Sequence, residues 1–380
     1  MGIRFLPVWF DSMGSKSAVI FVETDDVRIL VDPGLSALQP GFPIPDSWKS
    51  MYNIMGYRMI EKFATGADIV IITHYHYDHH EPVDSPWINT RSLYYGKILL
   101  VKNPNKYINN SQFERARTFL GGLVSSFLGR PLEDFLEEPK ERDFGDPIDW
   151  IPMARDKDFG DYNTRRRQIL ENGRKRFERL VSLWSENPWI REIDESSLKV
   201  RFADGMQYCF GKTKIKFTRP MFHGVEYDRL GWVIGFTVES SGDKLLYTSD
   251  IQGPFIEDYA DWIISENPNI AVIDGPPTYQ FGYMMTRTTL RRAIENMIRI
   301  LESAETELII WDHHLLRDVR WRERVAEVYK YARRKRKRLI TAAEFYGKRP
   351  VAELANALRS GKRIRWSRYV TPPRELLQAK

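Results

Sequence analysis

An apolar run, Ala67-Asp68-Ile69-Val70-Ile71-Ile72, leads directly into Thr73-His74-Tyr75-His76-Tyr77-Asp78-His79-His80. The first part has the β-branched character of a buried strand. The second places four histidines and a carboxylate within eight residues, a density that a metal ion explains and a hydrophobic core does not. Such a junction predicts a central strand that ends at a ligand loop, where active sites gather in α/β sheets. Imidazole and carboxylate suit zinc, iron or manganese.

The remaining histidines repeat the pattern. His223 follows the alternating run Lys212 to Thr218, and His313 and His314 follow the apolar run Leu308-Ile309-Ile310-Trp311. Asp250 closes a further strand-like stretch, Leu245 to Ser249. All seven histidines therefore sit just beyond predicted strands.

Together these residues resemble the metallo-β-lactamase-fold hydrolase superfamily: THxHxDH at 73–79, a later His after a strand, an Asp ending the next hairpin, and a late His. Val31-Asp32-Pro33-Gly34 matches that family's early strand-end aspartate and glycine. The motifs span about residues 18 to 314. The longer phrases THYHYDHHEP, INNSQ, DGPPTY, DHHLLRD and TAAEF resemble an uncharacterised archaeal branch. The resemblance implies an α/β fold, a four-layer αββα sandwich. It also implies two divalent metal ions, zinc first and iron or manganese as alternatives. His74, His76 and His223 would hold one ion. Asp78, His79 and His313 would hold the other, with Asp250 bridging and a hydroxide shared between ions about 3.5–4 Å apart. Either His313 or His314 can serve as the late ligand. His313 is favoured as the first residue free of its strand, leaving His314 in support. Asp78, His314 and Tyr279 are the expected catalytic residues, Tyr279 because its hydroxyl follows the rigid Gly275-Pro276-Pro277 turn. Asp32 is expected to hydrogen-bond the ligand loop. Asn109, Ser111 and Gln112 open a helix, whose N-terminus favours anions. With His80 they are the substrate-binding candidates.

Along the chain, strands are expected at 3–10, 18–23, 27–32, 96–102 and from 198 onward, with a helix over 45–66. Residues 104 to 196 break that pattern. Apolar residues at helical spacing predict helices over 111–128 and 164–184, read as an inserted cap on a single domain spanning 1–380. Further covering helices are expected over 288–301, 315–334 and 350–358. Residues 332–380 form a basic extension. Gly14-Ser15-Lys16-Ser17 lacks the spacing of a phosphate-binding P-loop.

With 42% hydrophobic residues, the composition is globular. No apolar stretch approaches the ~20 residues of a membrane span, and the N-terminus lacks a signal-peptide pattern. Cys209 is the only cysteine, which excludes an intrachain disulfide and suits a reducing, cytoplasmic setting. It is expected to be buried as a small hydrophobe. Abundant Arg, Lys and Glu lean toward a thermophile.

The leading functional expectation is hydrolysis of a small ester, lactone, thioester or phosphodiester. The net charge of +6 and the basic runs 332–338 and 362–368, the latter with Trp366, make a nuclease the runner-up. Against it, the superfamily's tRNA-processing branch carries an arm between the third and fourth motifs, and His223 to Asp250 leaves no room for one. Its mRNA-cleaving branch inserts a domain after the fourth motif, where Asp250 to His313 is too short. A diiron redox centre usually has Glu at the position of His76. A mononuclear iron dioxygenase remains a second alternative. A small-molecule substrate and a homodimer are the expected partners, with no membrane.

Overall fold

The structure is a computed structural model that describes residues 2–364, 369 and 371–379. Two seven-stranded sheets form its centre. The first contains β1 (Arg4–Phe10), β2 (Ala18–Glu23), β3 (Arg28–Val31), β4 (Ile69–Ile72), β5 (Ile98–Val101), β6 (Ile193–Glu195) and β7 (Leu198–Phe202), in the order β1-β2-β3-β4-β5-β7-β6. The second runs in sequence order through β8 (Gln207–Phe210), β9 (Thr213–Phe217), β10 (Phe236–Ser240), β11 (Asp243–Tyr247), β12 (Ile270–Asp274), β13 (Leu308–Asp312) and β14 (Arg338–Ile340). Each sheet begins antiparallel and continues with parallel strands, and the first closes with the antiparallel pair β7-β6. The parallel strands are continuous apolar runs, as burial on both faces requires.

The sheets face each other across one core, and helices cover the outer faces. Helix Asp46–Gly66 lays Tyr52, Met59 and Phe63 on the first sheet, with Phe63 5.0 Å from Phe21 ring to ring. Helix Arg287–Ser303 and helix Ala326–Arg334 cover the second, where Tyr329 meets Trp311. The result is the four-layer αββα sandwich.

Helix Asn110–Leu128 is capped by Asn109 and stopped by left-handed Gly129. Its Phe119 packs on Tyr75 and His80 of the ligand loop. Helix Asn163–Glu186 sets Trp184 against Trp232, just beyond the His223 loop. Residues 104–196 thus lean on the ligand-bearing edge of the sandwich.

Two expectations change. Cys209 is exposed, because strand alternation turns it to the solvent side of the edge strand β8. The helix expected over 315–334 is broken into a 3-10 turn at His313–Arg317, one helical turn at Trp321–Arg324 and helix Ala326–Arg334. The break lets Leu315, Leu316 and Trp321 all reach the core, which one continuous helix face does not allow. Trp366 and its neighbours 365–368 lie outside the described residues; Arg333 to Arg336 are exposed.

Candidate metal centre

The ends of the parallel strands converge on one spot. β4 runs into Thr73–His80, β11 into Ser249 and Asp250, β12 ends at Asp274, and β13 runs through Asp312 into His313. Asp32, Ser249 and His313 adopt left-handed backbone, with φ of 47°, 55° and 63°. Such conformations are uncommon outside glycine, and here they turn the chain sharply at strand ends so that side chains face inward. The ligand loop is held by Asp32. Its carboxylate accepts Thr73 N at 2.8 Å, Thr73 Oγ1 at 2.6 Å and Tyr247 Oη at 2.8 Å, and lies 2.9 Å from His79 Nδ1. Gly34 makes that approach sterically feasible, since a Cβ there would lie 2.3 Å from the His80 nitrogen.

Asp250 sits at the centre, fully buried among imidazoles. Its Oδ2 is 3.5 Å from His74 Nε2, 3.3 Å from His223 Nε2 and 4.0 Å from His314 Nε2. Its Oδ1 is 3.1 Å from His79 Nε2 and 3.3 Å from His313 Nε2. Despite this crowding, neither carboxylate oxygen nor His223 Nε2 has a partner in hydrogen-bond geometry. Buried polar atoms are rarely left so. Lone pairs pointing at one another define a place for a cation. His74, His76, His223 and Asp250 form one ligand group, and Asp78, His79 and His313 a second; Asp250, His313 and His314 also lie close enough to share an ion.

Burial, then the neighbouring His79, pushes His74 down to about 4. Burial also pushes His76 and His314 well below the ordinary imidazole value. These rings are neutral at pH 7, the form that binds metal. Burial opposes ionisation of Asp250, but His79 and then His313 hold its carboxyl well below the usual range. His79 goes the other way: Asp250 and Asp32 outweigh burial and raise it to about 10.

Both late histidines point inward. His313 is anchored through Nδ1 by Asp11 Oδ1 at 2.6 Å and serves the second group. His314 is anchored through Nδ1 by Asp274, 3.0 Å from each oxygen, and aims Nε2 toward Asp250. Tyr279 is exposed, its hydroxyl accepting from Gln280 Nε2, within electrostatic reach of Arg317.

Most of the expected substrate-binding residues make contacts within the fold. Asn109 and Gln112 use their amides on backbone: Asn109 caps its helix and donates to Arg229 O, while Gln112 ties Tyr75 N to Leu230 O. They brace the ligand loop against the 224–231 loop. Ser111 is exposed on the first turn of the helix. His80 is buried behind the loop, its Nδ1 on His76 O and its ring on Phe119, outside both ligand groups.

Three site residues escaped sequence reasoning. Asp11 follows β1 and Asp274 ends β12, the same strand-end signal that identified Asp250. Arg317 lies four residues beyond His313, inside the DHHLLRD phrase.

Residues 14–79 match the sequence profile of the Metallo-beta-lactamase superfamily. With the αββα sandwich and its ligand loop, this places the chain in that superfamily. More narrowly, the chain belongs to the UPF0282 family. It is 33% identical over 350 residues to a UPF0282 protein of Korarchaeum cryptofilum, covering 91% of this chain and 90% of the relative. It is 30% identical over 358 residues to one of Methanocaldococcus jannaschii, covering 91% and 92%. Among solved structures, the metallo-beta-lactamase fold protein YhfI from Bacillus subtilis aligns with a TM-score of 0.40 at 13% identity, over 90% of this chain and 96% of that one.

Proposed function

We propose that this protein is a metal-dependent hydrolase acting on a small ester, lactone, thioester or phosphodiester. The observation that carries the reading is Asp250, a buried carboxylate with both oxygens free of hydrogen bonds and five imidazole nitrogens within 4.0 Å. His74, His76, His223 and Asp250 would hold a divalent ion, zinc in the first instance. Bound there, the ion supplies Lewis acidity and brings the pKa of water toward ~7.

The chain's own residues supply the rest. Asp32 and Gln112 fix the ligand loop, so His74 and His76 need no rearrangement to act. Asp274 accepts from His314 Nδ1 and leaves Nε2 facing the reaction centre, where it takes a proton from the attacking water and returns it to the leaving group. Tyr279 stands at the rim, able to donate to a developing oxyanion. The helices of 104–196, packed on the ligand loop and the 224–231 loop, shape the substrate's approach.

The test is a panel of activated esters, lactones and phosphodiesters with metal-replete and chelated protein. Chelation is expected to abolish turnover, and zinc to restore it. His314→Gln is expected to lower kcat by about 100-fold with little change in KM. Turnover that survives both chelation and Asp250→Asn would sink this reading.

A nuclease is the second reading. It is favoured by a cavity of about 380 Å³ beside the His223 loop, lined by Arg176, Arg179 and Arg229. Metal-dependent cleavage of RNA or DNA at defined positions, lost in His76→Ala, would promote it.

A further inference from the structure

The second ligand group already contains a cation. Arg317 is buried at the turn after His313. Its Nε donates to Asp11 Oδ2 at 2.8 Å and its Nη2 donates to Asp78 Oδ2 at 2.8 Å. The same Nη2 lies 3.2 Å from His313 Nε2. Its placement does not depend on the ligand groups alone. Asp11 belongs to neither, is fully buried, and holds Arg317 with one oxygen while the other takes His313 Nδ1 and Ser17 N. The Arg317 carbonyl is fixed as well, accepting from Gln39 Nε2.

This position conflicts with a second metal ion. Asp78 Oδ2 and His313 Nε2 are 3.8 Å apart. An ion bonded to both at about 2.0–2.2 Å would lie within about 3.4 Å of the Arg317 Nη2, wherever it sat around the line joining them. A guanidinium does not deprotonate in proteins, so it can neither ligate the ion nor shed its charge. The local charge count agrees. Asp11 and Asp78 face two cations, Arg317 and the half-buried Lys16.

The geometry points to Arg317 as the resident cation of the second ligand group: the chain works with one metal ion, on His74, His76, His223 and Asp250, and a guanidinium stands where a binuclear enzyme carries its second. The inference rests on the metal-dependent reading of the site and replaces its two-ion form. Arg317 acts as a positioning residue, holding Asp78 and His313 in place.

The experiment is zinc titration of metal-free protein by calorimetry, with elemental analysis after desalting. Wild type is expected to retain one zinc per chain and Arg317→Met two. Arg317→Met strands the Asp11 charge, so the double exchange Arg317→Met with Asp11→Asn, which removes both partners, is the second variant; it is also expected to take two. Wild type alone gives an independent readout. Loaded with two equivalents of cobalt, it should show an uncoupled paramagnetic spectrum. Two retained zinc ions or a spin-coupled pair in wild type would overturn the Arg317 assignment and leave the hydrolase reading standing. One zinc in both variants would overturn it too. No retained zinc in wild type would overturn both.

Discussion

Two buried clusters of charged side chains lie near each other in this protein and are built on opposite principles. One joins Arg166, Glu226, Arg292, Glu257 and Lys157. There Arg292 Nη2 donates to Glu226 at 2.8 Å and to Glu257 at 2.7 Å, Arg166 donates to Glu226 at 3.1 Å, and Lys157 to Glu257 at 2.7 Å. Every carboxylate faces a donor. The other cluster surrounds Asp250, where five imidazole nitrogens crowd one carboxylate and three buried atoms have no hydrogen-bond partner. The first is closed and clamps residues 154–166 and the helix Arg287–Ser303 to the loop after His223. The second is open and could hold an ion. Burial and charge are common to both; what separates function from structure is whether the lone pairs are already satisfied.

The largest effect is expected at the open cluster. Asp250→Asn should remove retained metal and lower turnover by more than about 100-fold, while the thermal midpoint of the metal-free protein stays within a few degrees of wild type. Elemental analysis, kinetics and calorimetry read the three quantities. The closed cluster should answer in the opposite way. Glu226→Gln is expected to destabilise the fold by about 3 kcal/mol, because it weakens the partner of two buried guanidinium groups, with metal content unchanged. Equal loss of stability in the two variants would erase the contrast.

A smaller effect is expected where the scaffold meets the open cluster. In Gly34→Ala the new Cβ meets the His79 and His80 backbone at 2.5 and 2.3 Å. The ligand loop must shift, and zinc affinity should fall roughly tenfold, read by competitive titration. The smallest is a pH dependence. Burial pushes His80 down to about 3, so between pH 6.5 and 3 the unfolded chain binds a proton that the folded chain refuses. Stability from this group is therefore present above pH 6.5 and lost on acidification, at up to about 1.4 kcal/mol per pH unit. His80→Gln should flatten the acid limb of metal-free protein, measured by urea denaturation from pH 7 to 5. An unchanged slope would remove His80 from the account.

The sequence by itself determined the strands that carry the site and most of its candidate ligands. The run at 73–80 and the histidines beyond β9 and β13 were legible because a strand end is a local event. An apolar β-branched run stops, and residues of one chemical type follow. The same rule marked Asp250. Only the tertiary structure decided the partners. Asp11 and Arg317 are 306 residues apart, and nothing local to either shows that they meet. That Asn109 and Gln112 brace loops, that His80 lies outside both ligand groups, and that Asp274 aims His314 inward were likewise settled by packing. Ligand identity is written in short stretches of chain because side-chain chemistry is local. Which lone pair is left open, and whether a guanidinium lies beside it, depends on distances between segments that come together only when both sheets close on one core.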